Sequence, residues 1–251
     1  MSMIKKMYLK ELNGERDSIT GHLVIIVGFY LIITLLSGRW EASQAFAISI
    51  IPLHLMPIWY LFYSFDILHR EWKEQTLPLF LGVPMKASHL LLSKMLSLWT
   101  TYLIVILAIL TGVTLISGIN FGGIQATMEG LQVGLAIAIN NIINFIPLTP
   151  AAFLIYLTGV SFNRWASAVR VISGAFLAMA IIYGSRIANI FLEGVIFIIP
   201  LDFPANIGSN GPEGMSIAFS AISQALFLVV CLVGILSFFL SAGLLEKKPR
   251  A

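Results

Sequence analysis

Charged residues and cysteine are scarce in this chain of 251 residues. Asp, Glu, Lys and Arg together make up 11% of the sequence, whereas hydrophobic residues make up 58%. The mean hydropathy of +0.93 lies outside the range of soluble globular domains. The single cysteine, Cys231, excludes an internal disulfide and a metal site built from several cysteines. This composition favours a membrane protein.

Several enzyme motifs are also absent. The sequence contains no G-x-x-x-x-G-K-[ST], H-E-x-x-H or G-x-S-x-G pattern. The chain therefore has no nucleotide-binding P-loop of its own, and we predict no catalytic residue, no metal ligand and no cofactor on it. The formal net charge of +3 requires no nucleic-acid partner, because basic loops beside an anionic lipid leaflet account for it.

Six segments lack Asp, Glu, Lys and Arg altogether. They cover residues 18–38, 42–65, 95–128, 130–163, 171–185 and 214–245. A helix needs about 20 apolar residues to cross a bilayer, and the fifth segment reaches that length if Arg170 and Arg186 extend to opposite interfaces. We predict an all-α polytopic membrane protein, a single transmembrane domain over residues 1–251. Its spans are predicted near 19–36, 45–68, 92–116, 131–159, 165–184 and 218–245.

Lys and Arg are distributed unevenly between the two sides of this six-span arrangement. Only Arg39 and Arg186 fall on one side. The other 13 of the 15 basic residues share the opposite side: Lys5, Lys6, Lys10, Arg16, Arg70, Lys73, Lys86, Lys94, Arg164, Arg170, Lys247, Lys248 and Arg250. Because translocated loops disfavour Lys and Arg, we predict that this side, with both termini, is cytoplasmic.

Two segments outside the spans have patterns of their own. Apolar residues near the N-terminus, from Met3 to Leu12, recur at helical spacing, which predicts an amphipathic helix on the cytoplasmic interface rather than a frayed tail. Residues 187–199 are apolar but too short to cross the membrane and return. We expect one or two short outer helices between spans five and six.

Polar and helix-disturbing residues occur within three spans. His54 lies between Pro52 and Pro57 in the second span, and Asn140, Asn141 and Asn144 precede Pro147 and Pro150 in the fourth. The prolines predict a kink in the second span and a break or bend in the fourth. The histidine and the asparagines either bond a neighbouring helix or line a path. In the fifth span, Gly174 and Ala178 are four residues apart, which allows close helix approach.

The segment after the second span has the most specific pattern. Residues 69–86 read HREWKEQTLPLFLGVPMK, and Lys94 follows at the start of the third span. This loop resembles the coupling loop of bacterial ATP-binding cassette permeases of the type 2 exporter family. The matching positions are Arg70, Glu71, Thr76, Leu77, Leu81, Pro84, Lys86 and Lys94. A short helix presenting Leu77, Phe80 and Leu81 would suit docking into a groove on a cytoplasmic ATPase, whereas a solvated turn is the alternative.

The resemblance implies a permease subunit of an ATP-driven exporter in the bacterial plasma membrane. Its partners would be a second permease subunit, in a homodimer or heterodimer, and an ATPase subunit that holds ATP and Mg. It implies ATPase coupling by Arg70, Glu71, Glu74, Thr76, Leu77, Phe80, Leu81 and Pro84. Together with span composition, it implies a substrate path along His54, Pro57, Asn140, Asn144, Gly174 and Ala178.

The cargo and the function class have alternatives at this point. Small outer loops fit an amphipathic substrate such as an antimicrobial or signalling peptide, and a drug, a lipid or a polysaccharide would also be compatible. An intramembrane hydrolase or lipid transferase would need convergent acids, histidines or a nucleophile at one depth. A channel-like or structural membrane subunit would need no ATPase.

Overall fold

Seven helices and two short strands make up the part of the chain that the computed structural model describes, residues 3–73, 86–162, 165–192, 205–207, 215–217 and 224–247. The helices are α1 Met3–Gly14, α2 Arg16–Ser37, α3 Ala42–Lys73, α4 Ala87–Phe121, α5 Gly123–Ser161, α6 Ala166–Leu192 and α7 Gln224–Lys247. Strands β1 Ala205–Ile207 and β2 Met215–Ile217 pair antiparallel.

The six helices from α2 to α7 are long and apolar enough to cross a membrane. Their most apolar stretches have mean hydropathies between 1.6 and 2.6. This confirms the predicted number of spans and agrees with a multi-pass membrane protein. Most of the helices extend beyond the predicted limits, since backbone hydrogen bonding continues past the apolar stretch; α3, for example, runs to Lys73. The predicted start of the sixth span at residue 218 lies outside the described residues.

Helix α4 forms the centre of the bundle. Eighteen of its 35 residues are buried, among them Leu98, Tyr102, Val105 and Ile109. Side chains of α2, α3 and α5 pack around this stripe in one apolar cluster. By contrast, none of the residues 166–190 of α6 is buried. The core of the chain therefore depends on α4, and α6 lies at the edge.

Of the break or bend predicted for the fourth span, the break is wrong and the bend stays a prediction. Helix α5 continues through Pro147 and Pro150 as a single helix of 39 residues. Proline is tolerated within membrane helices where neighbouring helices and hydroxyl side chains satisfy the disturbed backbone. Here the Thr149 hydroxyl donates to the Phe145 carbonyl at 3.0 Å, and Trp99 of α4 donates to that hydroxyl at 3.2 Å. Both bonds are made by Thr149, which lies between the two prolines, and the second joins α5 to α4 there, whereas the carbonyls that the prolines leave without an N–H partner are those of Ile143 and Ile146.

The two ends of the bundle differ in construction. At one end α4 passes into α5 through Gly122 and Gly123, whose φ angles of 72° and 91° require glycine. At the opposite end, Leu68, Ala87, Tyr156 and other buried residues of α3, α4, α5 and α7 form a second apolar cluster. We call this second end the loop end, because the segment 74–85 joins α3 to α4 there.

The N-terminal segment is helical, as predicted, and packs on the loop end. Met7 contacts the apolar cluster at that end. The hydroxyls of Tyr8 and Thr100 lie 3.0 Å apart in a hydrogen bond between α1 and α4. The apolar face predicted from the spacing therefore packs against the protein itself.

The described residues after the fifth span differ from the expected outer helices. Residues 187–192 are the final turns of α6 rather than a separate helix. The described residues further along are strands β1 and β2, in which Asn206 is opposite Ser216. The remainder of the predicted helical stretch, residues 193–199, lies outside the described residues.

Candidate functional site

A buried lysine connects three helices at the loop end. The side chain of Lys94 on α4 is fully buried, and its ammonium group lies 3.2 Å from a carboxylate oxygen of Glu11 on α1. The same ammonium group donates a hydrogen bond to Glu71 near the end of α3. The side chains of the two glutamates are only 15% and 16% exposed. This triad joins α1 to both helices that flank the 74–85 segment.

A second ionic group lies beside the first. The Arg70 guanidinium is 3.1 Å from a carboxylate oxygen of Glu15 and 3.3 Å from one of Asp66. The Tyr63 hydroxyl donates to Glu15 and lies 2.8 Å from the Ser18 hydroxyl oxygen. Arg70 is 44% exposed, whereas Glu15 is 10% exposed. The end of α3 is thus fixed to the junction between α1 and α2.

The predicted coupling residues fall into two groups. Arg70 and Glu71 belong to the two ionic groups just described. The other six, Glu74, Thr76, Leu77, Phe80, Leu81 and Pro84, lie outside the described residues. The role of all eight in coupling stays a prediction.

A lateral groove of about 610 Å³ opens at the loop end between α3, α5 and α6. Its polar side chains include Asp66, His69, Tyr156 and Arg170. The His69 ring nitrogen Nδ1 is 3.3 Å from the Tyr156 hydroxyl, and the Arg170 guanidinium carbon is 4.6 Å from the centre of the Tyr156 ring. Phe62, Phe65, Ile155 and Val171 provide apolar walls. The groove combines a cation with hydrocarbon surface.

The six predicted path residues are not gathered in this groove. Gly174 lines it, and a Cβ placed on Gly174 would still be 3.8 Å from the Ile155 side chain. Ala178 is exposed one turn further along α6. His54 is also exposed, and its ring nitrogen Nδ1 is 3.4 Å from the Ile50 carbonyl of its own helix. Asn144 donates to the Asn140 carbonyl at 2.8 Å. A path through these six positions stays a prediction.

Pro57 and Asn141 have a structural relation that the sequence patterns did not reveal. Proline lacks an N–H group, so the carbonyl four residues earlier, that of Leu53, loses its usual helical partner. The Asn141 side-chain amide of α5 donates to this carbonyl at 2.7 Å. The asparagine therefore connects α5 to α3 where proline interrupts the helical ladder. The proline spacing marked the acceptor, but nothing in the sequence marked which distant donor would reach it.

A smaller apolar cavity of about 360 Å³ lies between α4, α5 and α7. Trp99, Pro150 and Phe238 line it together with Cys231. Beside it, Gly234 permits close contact of α7 with α5, because a Cβ at this position would overlap the Pro147 carbonyl oxygen. This cavity has almost no polar lining, and Cys231 is the one titratable side chain among its lining residues.

In the part of the chain that the structure describes, no cluster of three or more His, Cys, Asp or Glu residues could hold a metal ion. Comparisons of the chain with protein-family models, curated proteins and solved structures found no match. The geometry therefore offers three features for interpretation: the buried Lys94 triad, the neighbouring Arg70 group and the lateral groove.

Proposed function

We propose that this chain is the membrane-spanning permease subunit of an ATP-driven exporter, similar to the type 2 exporter family of ATP-binding cassette permeases. ATP and Mg would be held by a separate cytoplasmic ATPase, since this chain has no P-loop. A second permease subunit, identical or different, would complete the transporter. The loop end would face the cytoplasm of a bacterial cell, in agreement with the distribution of Lys and Arg.

The observation that carries this proposal is the way in which the base of the 74–85 segment is held. Glu71 comes shortly before the segment and Lys94 shortly after it, and the two are joined by a buried ion pair. Glu11 adds α1 to the same pair. A segment held at both sides can transmit a push from a docked ATPase to α1, α3 and α4 together. Rigid-body movement of packed helices is the kind of response that ATP-driven rearrangement requires.

The proposed cargo is an amphipathic molecule, such as an antimicrobial or signalling peptide. The groove supports this class because it places Arg170 beside the apolar walls of Phe62 and Val171. Drugs, lipids and polysaccharides are the alternative cargoes. Binding of candidate cargo to the purified transporter, followed by mass spectrometry of what is retained, would discriminate among them.

The test of the proposed function is a double substitution in the predicted docking segment, Leu77→Asp with Phe80→Asp. The wild-type chain, purified from its native membrane, should retain a subunit that carries the G-x-x-x-x-G-K-[ST] motif and hydrolyses ATP. The double variant should lose this subunit while inserting normally, because carboxylates remove the apolar contact that docking needs.

The matched control is Leu77→Ile with Phe80→Leu, which keeps the apolar character at both positions. This pair should retain the ATPase subunit and its activity. If the aspartate variant kept as much ATPase and ATP hydrolysis as the control, the proposed docking would be wrong. If the wild-type chain retained no such subunit, the exporter assignment itself would be wrong.

A further inference from the structure

The groove at the loop end contains the cation of Arg170. Arg170 makes no ion pair within 4.0 Å among the described residues, and its Nε–H is buried without a hydrogen-bond acceptor. By contrast, Lys94 and Arg70 at the same end are each bound to two carboxylates. Because Nε faces α5 and is shielded, an external group cannot reach that atom; a cation without a counter-ion beside apolar walls is costly, however, so an external anion would be stabilised at the rest of the Arg170 guanidinium.

The position of Arg170 is fixed by its neighbours. Its guanidinium stacks on the Tyr156 ring at 4.6 Å, and its side chain crosses α5 at Gly159. A Cβ on Gly159 would overlap the Arg170 side chain and would lie 2.6 Å from Nε. The glycine therefore makes room for the arginine. The result is a cation held in place at the wall of the groove, rather than one that moves freely in solvent.

The other charged groups near the groove are mutually compensated. Asp66 lines the groove, but its carboxylate is 3.3 Å from Arg70, which also binds Glu15. Asp66 is 54% exposed and keeps acceptor capacity for a hydroxyl or ammonium group. The polar end of the groove therefore presents a cation at Arg170 and a hydrogen-bond acceptor at Asp66.

The rest of the groove is hydrocarbon and opens to the side of the bundle. Phe62 and Val171 are 68% and 72% exposed, so this wall faces whatever surrounds the protein. In a membrane, that surrounding is lipid acyl chain. Basic pockets between membrane helices near one interface are recognised sites for phospholipid headgroups.

From this geometry we propose that the groove is a phospholipid site, in which Arg170 binds the lipid phosphate and Asp66 accepts a hydrogen bond from the headgroup. The acyl chains lie along Phe62, Phe65 and Val171. The preferred lipid has an anionic phosphate and headgroup donors, as phosphatidylglycerol does. The proposal does not require ATP-driven export, because any membrane protein with this groove would expose it to lipid. If the chain exports an amphipathic cargo through the same groove, lipid and cargo compete for Arg170.

For the test, the 251-residue chain is reconstituted in nanodiscs that contain equal amounts of phosphatidylglycerol and phosphatidylcholine. The protein is then released, and the lipid that stays bound to it is measured. Native mass spectrometry counts each lipid per protein. The wild type should retain phosphatidylglycerol selectively. Arg170→Gln should lower the apparent affinity at least about fivefold, the factor that corresponds to about 1 kcal/mol for one basic residue at an anionic surface.

Three further variants separate the site from general charge and from misfolding. Arg186→Gln removes a positive charge from the other end of the same helix and should leave retention unchanged. Arg170→Lys keeps the charge and should retain more phosphatidylglycerol than Arg170→Gln. Ala175→Trp fills the groove without altering Arg170 and should also release the lipid. Size-exclusion profiles identify any variant that fails to fold.

Competition with inorganic phosphate identifies the source of the anion. Inorganic phosphate, added at the same concentration as phosphatidylglycerol, should not displace this lipid, because phosphate lacks the hydrocarbon that the groove contacts. If inorganic phosphate displaced the bound lipid as effectively as added phosphatidylglycerol does, the lipid assignment would be overturned. Equal loss of phosphatidylglycerol in the Arg170→Gln and Arg186→Gln variants, or undiminished retention in Ala175→Trp, would overturn the site.

Discussion

Replacement of Lys94 by methionine should destabilise the protein strongly, since it removes the ammonium group that two largely buried carboxylates share. Lys94 is fully buried, and the side chains of Glu11 and Glu71 are 15% and 16% exposed. Removal of one partner from a buried ionic group typically costs about 3–5 kcal/mol. Here the two remaining carboxylates would also repel each other across the space that the ammonium group occupied.

The predicted loss can be expressed as a change in melting temperature. For a chain of this size, each kcal/mol changes the melting temperature by about 2–4 °C. A cost of about 3–5 kcal/mol therefore predicts a decrease of about 6–20 °C. Thermal unfolding of the purified protein in detergent, followed by tryptophan fluorescence, measures this decrease directly.

Two control variants make this measurement specific. Lys86→Met changes an exposed lysine that precedes the same helix and makes no ion pair among the described residues, so it should change stability by no more than about 0.5 kcal/mol. Lys94→Met combined with Glu11→Gln and Glu71→Gln removes all three charges. Replacement of a complete buried ionic group is often neutral, so most of the lost stability should return.

The reasoning would be refuted by either of two results. If Lys94→Met melted within a few degrees of Lys86→Met, the lysine would not be a buried ionic link. If the triple variant melted as low as Lys94→Met alone, loss of the cation shared by the two carboxylates would not be the cause of the lower stability.

Three further predictions concern packing, hydrogen bonding and orientation. Gly234→Ala should cost about 1–3 kcal/mol, because the new methyl group would overlap the α5 backbone, whereas Gly243→Ala, with open space around it, should be neutral or slightly stabilising in the same melting assay. Asn141→Leu should cost about 1–3 kcal/mol by leaving the α3 carbonyl without its donor, and melting within experimental error of the wild type would contradict this. In a variant without the native cysteine, Glu41→Cys should react with an impermeant thiol reagent in intact cells and Lys86→Cys should not, and the reverse labelling would contradict the predicted orientation.

The sequence was sufficient to predict the six spans and the N-terminal helix. Hydropathy over about 20 residues is a local property, and a charged island on each side of a span sets its approximate limits. Continuity of α5 through Pro147 was not predictable in the same way. The proline signal is local, whereas the packing of α5 on α4 joins distant residues, such as Trp99 and Thr149, which are 50 positions apart along the chain.

The ionic groups show more clearly that tertiary contacts are not predictable from a single sequence. The sequence position of Lys94 predicts an ordinary basic residue at a membrane interface, whereas in the structure Lys94 is buried between Glu11 and Glu71. The charge of Arg170 predicts only that it lies at a membrane interface. Its position over the Tyr156 ring depends on how α5 and α6 pack. A single sequence specifies the charge of such groups, but their partners are set by tertiary structure.

Helix α6 differs from α4 in how strictly its sequence is constrained. A buried position of α4 must match the volume of its neighbours, since interiors are packed as densely as crystals. In α6 none of the residues 166–190 is buried, and exposed positions of a membrane helix need only remain compatible with lipid. Exchange of one apolar residue for another should therefore be almost neutral at most positions of α6 and costly along the buried stripe of α4. Natural variation of this protein is accordingly expected to accumulate on α6, where drift can proceed without compensating changes elsewhere in the chain.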